Sequence, residues 1–117
     1  MNARDFTWLN ILLKFINELE ENIAKHAIDY DKFMNDTLYT NSISMSVFQV
    51  AEYVGKISEE TKEKYSSIEW QKIVGLRNRI AHGYDSMSID YIWLAATKSI
   101  PELKVYIEEI LREVDIN

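Results

Sequence analysis

The sequence contains no cysteine, one proline and three glycines among its 117 residues. The absence of cysteine excludes disulfide bonds, thiolate zinc sites and a cysteine nucleophile. A protein built from sheets needs turn residues about every 8 to 12 positions, and so few glycines and prolines do not supply them. The sequence therefore predicts an all-α fold.

Long apolar runs and an excess of positive charge are also missing. No apolar stretch approaches the roughly 18 residues of a membrane-spanning helix, and residues 1–10 lack the pattern of a signal peptide, so we expect a cytoplasmic protein that binds no membrane. Lys and Arg number 13 against 19 Asp and Glu, which gives a net charge of -6. This sign excludes binding of nucleic acid by bulk electrostatic attraction. The middle segment, residues 56–82, carries a net charge of +2, whereas the segments on either side carry -4 each.

The length fits one domain, residues 1–117, and no repeat, linker or low-complexity tract divides it. Helical spacing of apolar residues predicts four to six helices. The first helix extends to Ala27 and is apolar on two adjacent faces, so it is either central in a bundle or shared with a partner subunit.

The remaining helices follow from apolar seams and capping residues. A second long helix with a seam over 43–57 is capped by Asp36 or Asn41, and Gly55 within it is expected to permit close packing. Ser58 caps a short helix that ends near residue 65. A third helix spans about 70–81, with Gly83 as its C-terminal cap. The last stripe, 92–114, contains Pro101 as a kink or in the first turn of a new helix.

Residues 77–84, RNRIAHGY, hold the densest group of chemically active side chains. On a helix, Arg77 falls in a stripe with Trp70, Val74, Ala81 and Tyr84, which predicts an arginine at a seam position. A buried or interfacial guanidinium needs an anion or a good hydrogen-bond acceptor. Phosphate is the natural candidate.

Asn78 and His82 are four residues apart and share one helix face, whereas Arg77 lies about 140° from His82 around the helix axis. Fraying of the helix at Gly83, or a second copy of the helix across a dimer, would bring arginine and histidine into one cleft, and we favour the dimer. Two histidines from two chains would supply the general base and general acid for RNA cleavage through the 2'-hydroxyl, and the arginine would stabilise the developing charge.

Simpler interpretations exist for each residue alone. The stem of Arg77 can lie on Trp70 with its head in water. His82 can serve as a cation that satisfies the last carbonyls of its helix, and half-buried tyrosines such as Tyr84 are common. The combination within eight positions favours a functional site.

The arrangement of Arg77, Asn78, His82 and Tyr84 resembles the Arg-x4-His-x-Tyr signature of HepT-like proteins, the HEPN-domain toxins of HEPN-MNT toxin–antitoxin pairs. The resemblance covers most of the chain from Phe33 onward and includes these further parts: VAEYVGKISEE, IEWQKIVGLRN, Trp93 and IPELKVYIEEIL.

The resemblance implies a homodimeric HEPN-type helical bundle that acts as a metal-independent endoribonuclease. Arg77 and His82 would be the catalytic residues of a cleft between two subunits, and Asn78 and Arg79 would support RNA binding. The antitoxin of such a pair is a minimal nucleotidyltransferase that transfers AMP from ATP to the motif tyrosine, here Tyr84. The chain itself would need no cofactor, because ATP is used by the partner. The alternative function is a non-catalytic module that only binds the nucleotidyltransferase.

Overall fold

The computed structural model of the chain describes residues 1–82 and 86–116. Over these ranges it has helices and no strand, so the all-α prediction is confirmed. Five separate helices come first: α1 (Ala3–Lys25), α2 (Tyr30–Asn35), α3 (Thr37–Lys56), α4 (Glu59–Lys64) and α5 (Trp70–Ala81). A sixth, continuous helical segment consists of α6 (Ser86–Leu94), a π-helical turn (Ala95–Ser99) and α7 (Ile100–Ile116). Of the helices in these ranges, none is both long and apolar enough to span a membrane.

Helix α3 is central: it packs against α1, α2, α5 and the π-helical turn. Helix α1 lies between α3 and α7, and its fully buried residues are Leu9, Leu12, Ile16 and Leu19. On one flank of α1, the rings of Trp8 and Phe15 lie 5.6 and 5.2 Å from the ring of Tyr53 in α3. One apolar face of α1 is thus buried in the bundle and the other is half-buried beside Tyr53, while Phe6 near the start of the helix stays exposed.

Polar side chains fix where the helices begin. Asp36 accepts a hydrogen bond from the backbone N–H of Leu38 at the start of α3, and Ser58 accepts one from Thr61 at the start of α4. These side chains satisfy backbone donors that have no partner inside the helix. The predicted caps Asp36 and Ser58 are therefore confirmed.

The end of α1 differs from the prediction. The apolar stripe extends to Ala27, but α1 ends at Lys25 and Ala27 has a positive φ of 49°. The N–H of Ala27 donates to the carbonyl of Ala24, and the N–H of Ile28 donates to that of Ile23. This pair of bonds is a Schellman motif, which ends a helix through one left-handed residue and is usually built with glycine.

The expected role of Gly55 is wrong. Gly55 lies in α3, but a Cβ atom added there would meet no atom within 4 Å, and the residue is exposed. It follows directly after the buried Val54, so it lies beside the packed seam of α3 and brings no backbone close to another.

The sequence predicts Pro101 as a kink or in the first turn of a new helix; it is the second residue of α7, which continues directly from the π-helical turn and is not a separate helix. Proline has no N–H to donate, and the helix adapts just before it. The N–H of Ile100 donates to the carbonyl of Ala95, five residues back, which is the wider spacing of a π-helix. The chain thereby passes from α6 into α7 without leaving helical geometry.

Candidate functional site at the end of helix α5

Helix α5 carries the basic motif and is anchored at its first residue. Trp70 is buried, and its indole Nε1 donates a hydrogen bond to the carbonyl of Tyr65 at 3.1 Å. Ile73 and Leu76 are buried along the same side, and Ile80 is half-buried. These residues form the inner face of α5 and fix which side of the helix faces the solvent.

The prediction that Arg77 occupies this seam is wrong. The seam runs through Leu76, and Arg77 lies about 100° further round the helix, at the edge of the packed face. Its side chain is 55% exposed. The spacing of residues 70, 74, 77 and 81 is as regular as that of 70, 73, 76 and 80, and packing against α3 selects the second set.

The guanidinium of Arg77 is held by a carboxylate from α3. Its Nε lies 2.7 Å from Oε1 of Glu52, whose side chain is 34% exposed. A contact this short between opposite charges is a close ion pair, and it restricts the direction of the planar group. The Arg77 side chain remains more than half exposed in this ion pair, so part of its guanidinium faces solvent. Glu52 thus holds the guanidinium at the surface, where an anion could reach its exposed part.

His82 follows the last residue of α5 and is exposed. Its backbone N–H donates to the carbonyl of Asn78 at 3.1 Å. Asn78 is exposed too, so the amide and the imidazole lie on the outer face of the helix, as the spacing predicts. Within the described ranges no hydrogen bond joins the two side chains, and both are accessible from solvent.

Arg79 extends toward the opposite flank of α5. Its Cζ lies 4.0 Å from the centre of the Tyr91 ring in α6, which is a cation–π contact. Arg77 and Arg79 are therefore separated: the first is directed to α3 and the second to α6. Asn78 lies on the outer face between them.

The structure thus places Arg77, Asn78, Arg79 and His82 on one exposed helix end, but it does not bring all four side chains together. Tyr84 and Gly83 lie outside the described residues. Glu52 was missed as a site residue. It is the only acidic residue of α3, whose one other charged residue is Lys56 at its end, and this isolated carboxylate was the available signal.

The chemical inventory of this surface is an oriented guanidinium, an accessible imidazole, an amide and a second guanidinium stacked on a phenol ring. Guanidinium groups bind phosphate and stabilise negative charge, and imidazole transfers protons near neutral pH. Across the ranges 1–82 and 86–116, no cluster of three or more His, Asp or Glu has the arrangement of a metal site.

Comparison with known proteins identifies relatives of this chain. The family model described as "Ribonuclease HepT-like" matches residues 12–110. A candidate RNase of Caldanaerobacter subterraneus subsp. tengcongensis is 31% identical over 86 residues, which cover 74% of this chain and 77% of that protein. A candidate RNase of Methanocaldococcus jannaschii is 26% identical over 98% of this chain and 94% of its own length. A second one from that organism is 30% identical over 92% of this chain and 98% of its own length.

No solved structure matches the chain. The family match covers most of the sequence, including α3 with Glu52 and the whole of α5 with its motif. The chain therefore belongs to the HepT-like family.

Proposed function

We propose that the chain is a metal-independent endoribonuclease and the toxin of a toxin–antitoxin pair. The observation that carries the proposal is the ion pair between Arg77 and Glu52, which holds a half-exposed guanidinium at the surface. A fixed fork of donors matches the oxygens of a phosphodiester. The names of the relatives, candidate RNases, support the same substrate class.

In the proposed reaction the 2'-hydroxyl of a ribose attacks the adjacent phosphorus. One His82 imidazole takes the proton of that hydroxyl as general base. A second, protonated His82 imidazole donates a proton to the 5'-oxygen as the P–O5' bond breaks. The products are a 2',3'-cyclic phosphate and a 5'-hydroxyl. Arg77 stabilises the negative charge that accumulates on the phosphate oxygens during the attack.

Two imidazoles require two chains, because the motif contains one histidine. The structure of the single chain supports this requirement, since Glu52 directs Arg77 toward α3 while His82 lies on the outer face. A two-fold axis beside α5 would place both copies of His82 in one cleft with both copies of Arg77. Asn78, exposed between them, would contact the RNA.

Regulation in this proposal is by a minimal nucleotidyltransferase acting as antitoxin. The phenol oxygen of Tyr84 attacks the α-phosphorus of ATP, the tyrosine proton is lost and pyrophosphate leaves. Tyr84 follows Arg77 by seven positions in the sequence. An AMP group on Tyr84 would add negative charge and bulk beside the anion site and would exclude RNA from it. ATP is bound by the partner enzyme, and the setting for both proteins is the cytoplasm, where RNA is plentiful.

The test of the nuclease is cleavage of total cellular RNA by the purified protein with a metal chelator present. We expect fragments that end in 2',3'-cyclic phosphate, and loss of cleavage in both His82→Ala and Arg77→Ala. His26→Ala is the matched control, because His26 is also an exposed residue directly following a helix. Cleavage that is absent, or unchanged in His82→Ala, would favour a non-catalytic module that only binds the nucleotidyltransferase.

The test of the regulation is mass spectrometry of the chain co-expressed with a nucleotidyltransferase encoded beside it. We expect additions of AMP mass on the wild type and none on Tyr84→Phe. Modification of Tyr91 instead would show that the acceptor is assigned wrongly.

A further inference from the structure

A groove lies between α5 and the α6–π segment, on the side of α5 opposite the Arg77–Glu52 pair. It encloses about 310 Å³ and is lined by charged, amide and apolar groups, among them Lys72, Gln71, Leu94 and Arg79. This volume is at the lower end of the roughly 300–1,000 Å³ typical of small-molecule sites. The groove has room for one flat, polar-edged group and is too small for a folded partner domain.

One wall of the groove is a stacked pair of planar groups. The guanidinium of Arg79 lies over the ring of Tyr91, which is 42% exposed although the next residue, Ile92, is fully buried. Helix α6 is fixed from behind, because Trp93 stacks on Phe33 of α2 with ring centres 5.1 Å apart. The planar wall is therefore held by the core, and the outer face of the exposed guanidinium is open to a further ring.

The floor of the groove includes Gly75, where an added Cβ would meet nothing within 4 Å. A glycine on a helix surface lets a ligand approach the backbone closely. Lys72 lies at the same wall and forms an exposed ion pair with Glu69 at 3.6 Å, a contact weak enough to yield to a phosphate. The groove thus combines a stacking surface, an amide and a cation.

The groove is connected to the motif by the helix itself. One stripe along the outer side of α5 consists of residues spaced by four, three and four positions: Gln71, Gly75, Asn78 and His82. Gly75 and His82 are separated along the axis by about 10 Å, from the helical rise of 1.5 Å per residue. A strand lying along this stripe would have one nucleotide beside His82 and a neighbouring one over the groove.

We propose that this groove is a subsite for an unpaired base of the RNA, next to the phosphate that is cut. The base stacks on the Arg79–Tyr91 pair, Gln71 contacts its polar edge and Lys72 contacts the flanking phosphate. Single-stranded RNA is commonly bound by this combination of stacking and cationic groups. The inference rests on the proposed RNA substrate and adds how the strand is held beside the site of cleavage.

The main test fills the groove and measures RNA binding. Gly75→Leu places a side chain in the groove without removing any contact, and Gly55→Leu makes the same change at a second helical glycine with open space. Both are introduced into a chain that carries His82→Ala, so that bound RNA is not cut. Binding of a short fluorescent oligouridylate is followed by anisotropy.

We expect Gly75→Leu to weaken binding about fivefold or more, the lower bound for one stacked base, and Gly55→Leu to leave it unchanged. Equal binding by the two variants would overturn the subsite. A change of molecular mass in Gly75→Leu alone, measured by sedimentation, would identify the groove as a protein interface and overturn it as well.

A second pair of variants keeps the test independent of the glycines. Tyr91 and Tyr106 are 42% and 41% exposed, and Tyr106 lies outside the groove. We expect Tyr91→Leu to weaken binding and Tyr106→Leu to leave it unchanged. An oligonucleotide containing thiouridine should crosslink to the peptide that holds Tyr91, and crosslinks confined to other peptides would contradict the proposal.

These measurements separate the subsite from the nuclease. Binding that depends on Gly75 and Tyr91, together with a wild-type chain that cuts no RNA, would support the subsite and overturn the proposed cleavage. Cleavage by the wild type together with equal RNA binding by all four variants would support the proposed nuclease and overturn the proposed subsite.

Discussion

The half-exposed ion pair between Arg77 and Glu52 affects the orientation of the guanidinium more than the free energy of folding. Pairs of this exposure contribute only about 0 to 1 kcal/mol to folding, because water and salt screen them. Their effect on a bound phosphate is larger, since a guanidinium that is fixed in advance loses less freedom when the anion arrives. In the proposed reaction Glu52 would therefore act as a positioning residue for Arg77.

Glu52→Ala is predicted to slow RNA cleavage about 10- to 100-fold, the loss expected when a catalytic group is misplaced by about 1 Å. Its free energy of unfolding should fall by less than about 1 kcal/mol. Glu52→Gln keeps an acceptor for Nε and should recover part of the rate. Glu20→Ala is the control, because Glu20 is 38% exposed and pairs with Lys104 at 3.3 Å, away from the motif. Equal cleavage rates for Glu52→Ala and Glu20→Ala would contradict the positioning role.

Asp5 is the other residue whose charge matters, and its role is in the fold. Its carboxylate is 1% exposed and accepts hydrogen bonds from the backbone N–H and the hydroxyl of Ser58 and from the hydroxyl of Thr61. Burial raises the pKa of Asp5, but these hydrogen bonds stabilise the charged form more strongly, so the pKa is lowered from 3.8. The carboxylate thereby ties the start of α1 to the start of α4.

Asp5→Asn is predicted to lower the free energy of unfolding by about 1 to 3 kcal/mol at neutral pH, because an amide cannot accept all three bonds. A lowered native pKa stabilises the fold above the unfolded pKa, and this contribution is lost as the pH falls through the native value. The difference between wild type and Asp5→Asn, measured by urea unfolding, should therefore shrink below about pH 4. Asp36→Asn should change little, since asparagine caps a helix as well as aspartate does. A difference that stays constant down to pH 3 would contradict this linkage.

At the scale of the helices, Ala27 in the connection from α1 to α2 has a positive φ. Among the described non-glycine residues it is the only one that does. The left-handed conformation costs an L-residue roughly 1 to 2 kcal/mol, and glycine avoids this cost. Glycine also loses more entropy on folding, which offsets about 0.4 to 1 kcal/mol.

Ala27→Gly is therefore predicted to raise the free energy of unfolding by up to about 1 kcal/mol. Ala24→Gly, three residues earlier and inside α1, should lower it by about 1 kcal/mol. Urea unfolding of both variants gives the two signs in one experiment. Destabilisation by Ala27→Gly would show that the Schellman turn costs alanine nothing.

The helices also show what the sequence can and cannot specify. The caps Asp36 and Ser58 and the span of α5 could be predicted, because they depend on neighbours a few residues away. The place of Arg77 beside the seam could be predicted as well, since residues 70, 73, 76 and 80 have helical spacing and are apolar throughout, whereas the alternative set 70, 74, 77 and 81 contains the arginine. The Glu52–Arg77 pair joins two helices across 25 positions, and no local pattern specifies such a contact.

For the whole molecule, the distribution of charge complements the proposed site. The protein is acidic, with a net charge of -6, yet residues 56–82 are basic and contain all of α5. RNA binding should therefore depend on a local group of cations, and the acidic remainder disfavours long contacts along a duplex. Two copies of α5 in one cleft would double the local positive charge that attracts RNA in the proposed mechanism.

The dimer can be tested by mixing wild type with His82→Ala protein and allowing the subunits to exchange by unfolding and refolding. If one cleft needs His82 from both chains, only pairs of two wild-type chains are active. At equal amounts and random pairing, the activity per total chain should fall to about a quarter of the wild-type value. Chains that act alone would keep about half, because each wild-type chain would remain active. Mixing with His26→Ala protein provides the control, for which no loss is expected, and a linear fall with the His82→Ala fraction would rule out a shared cleft.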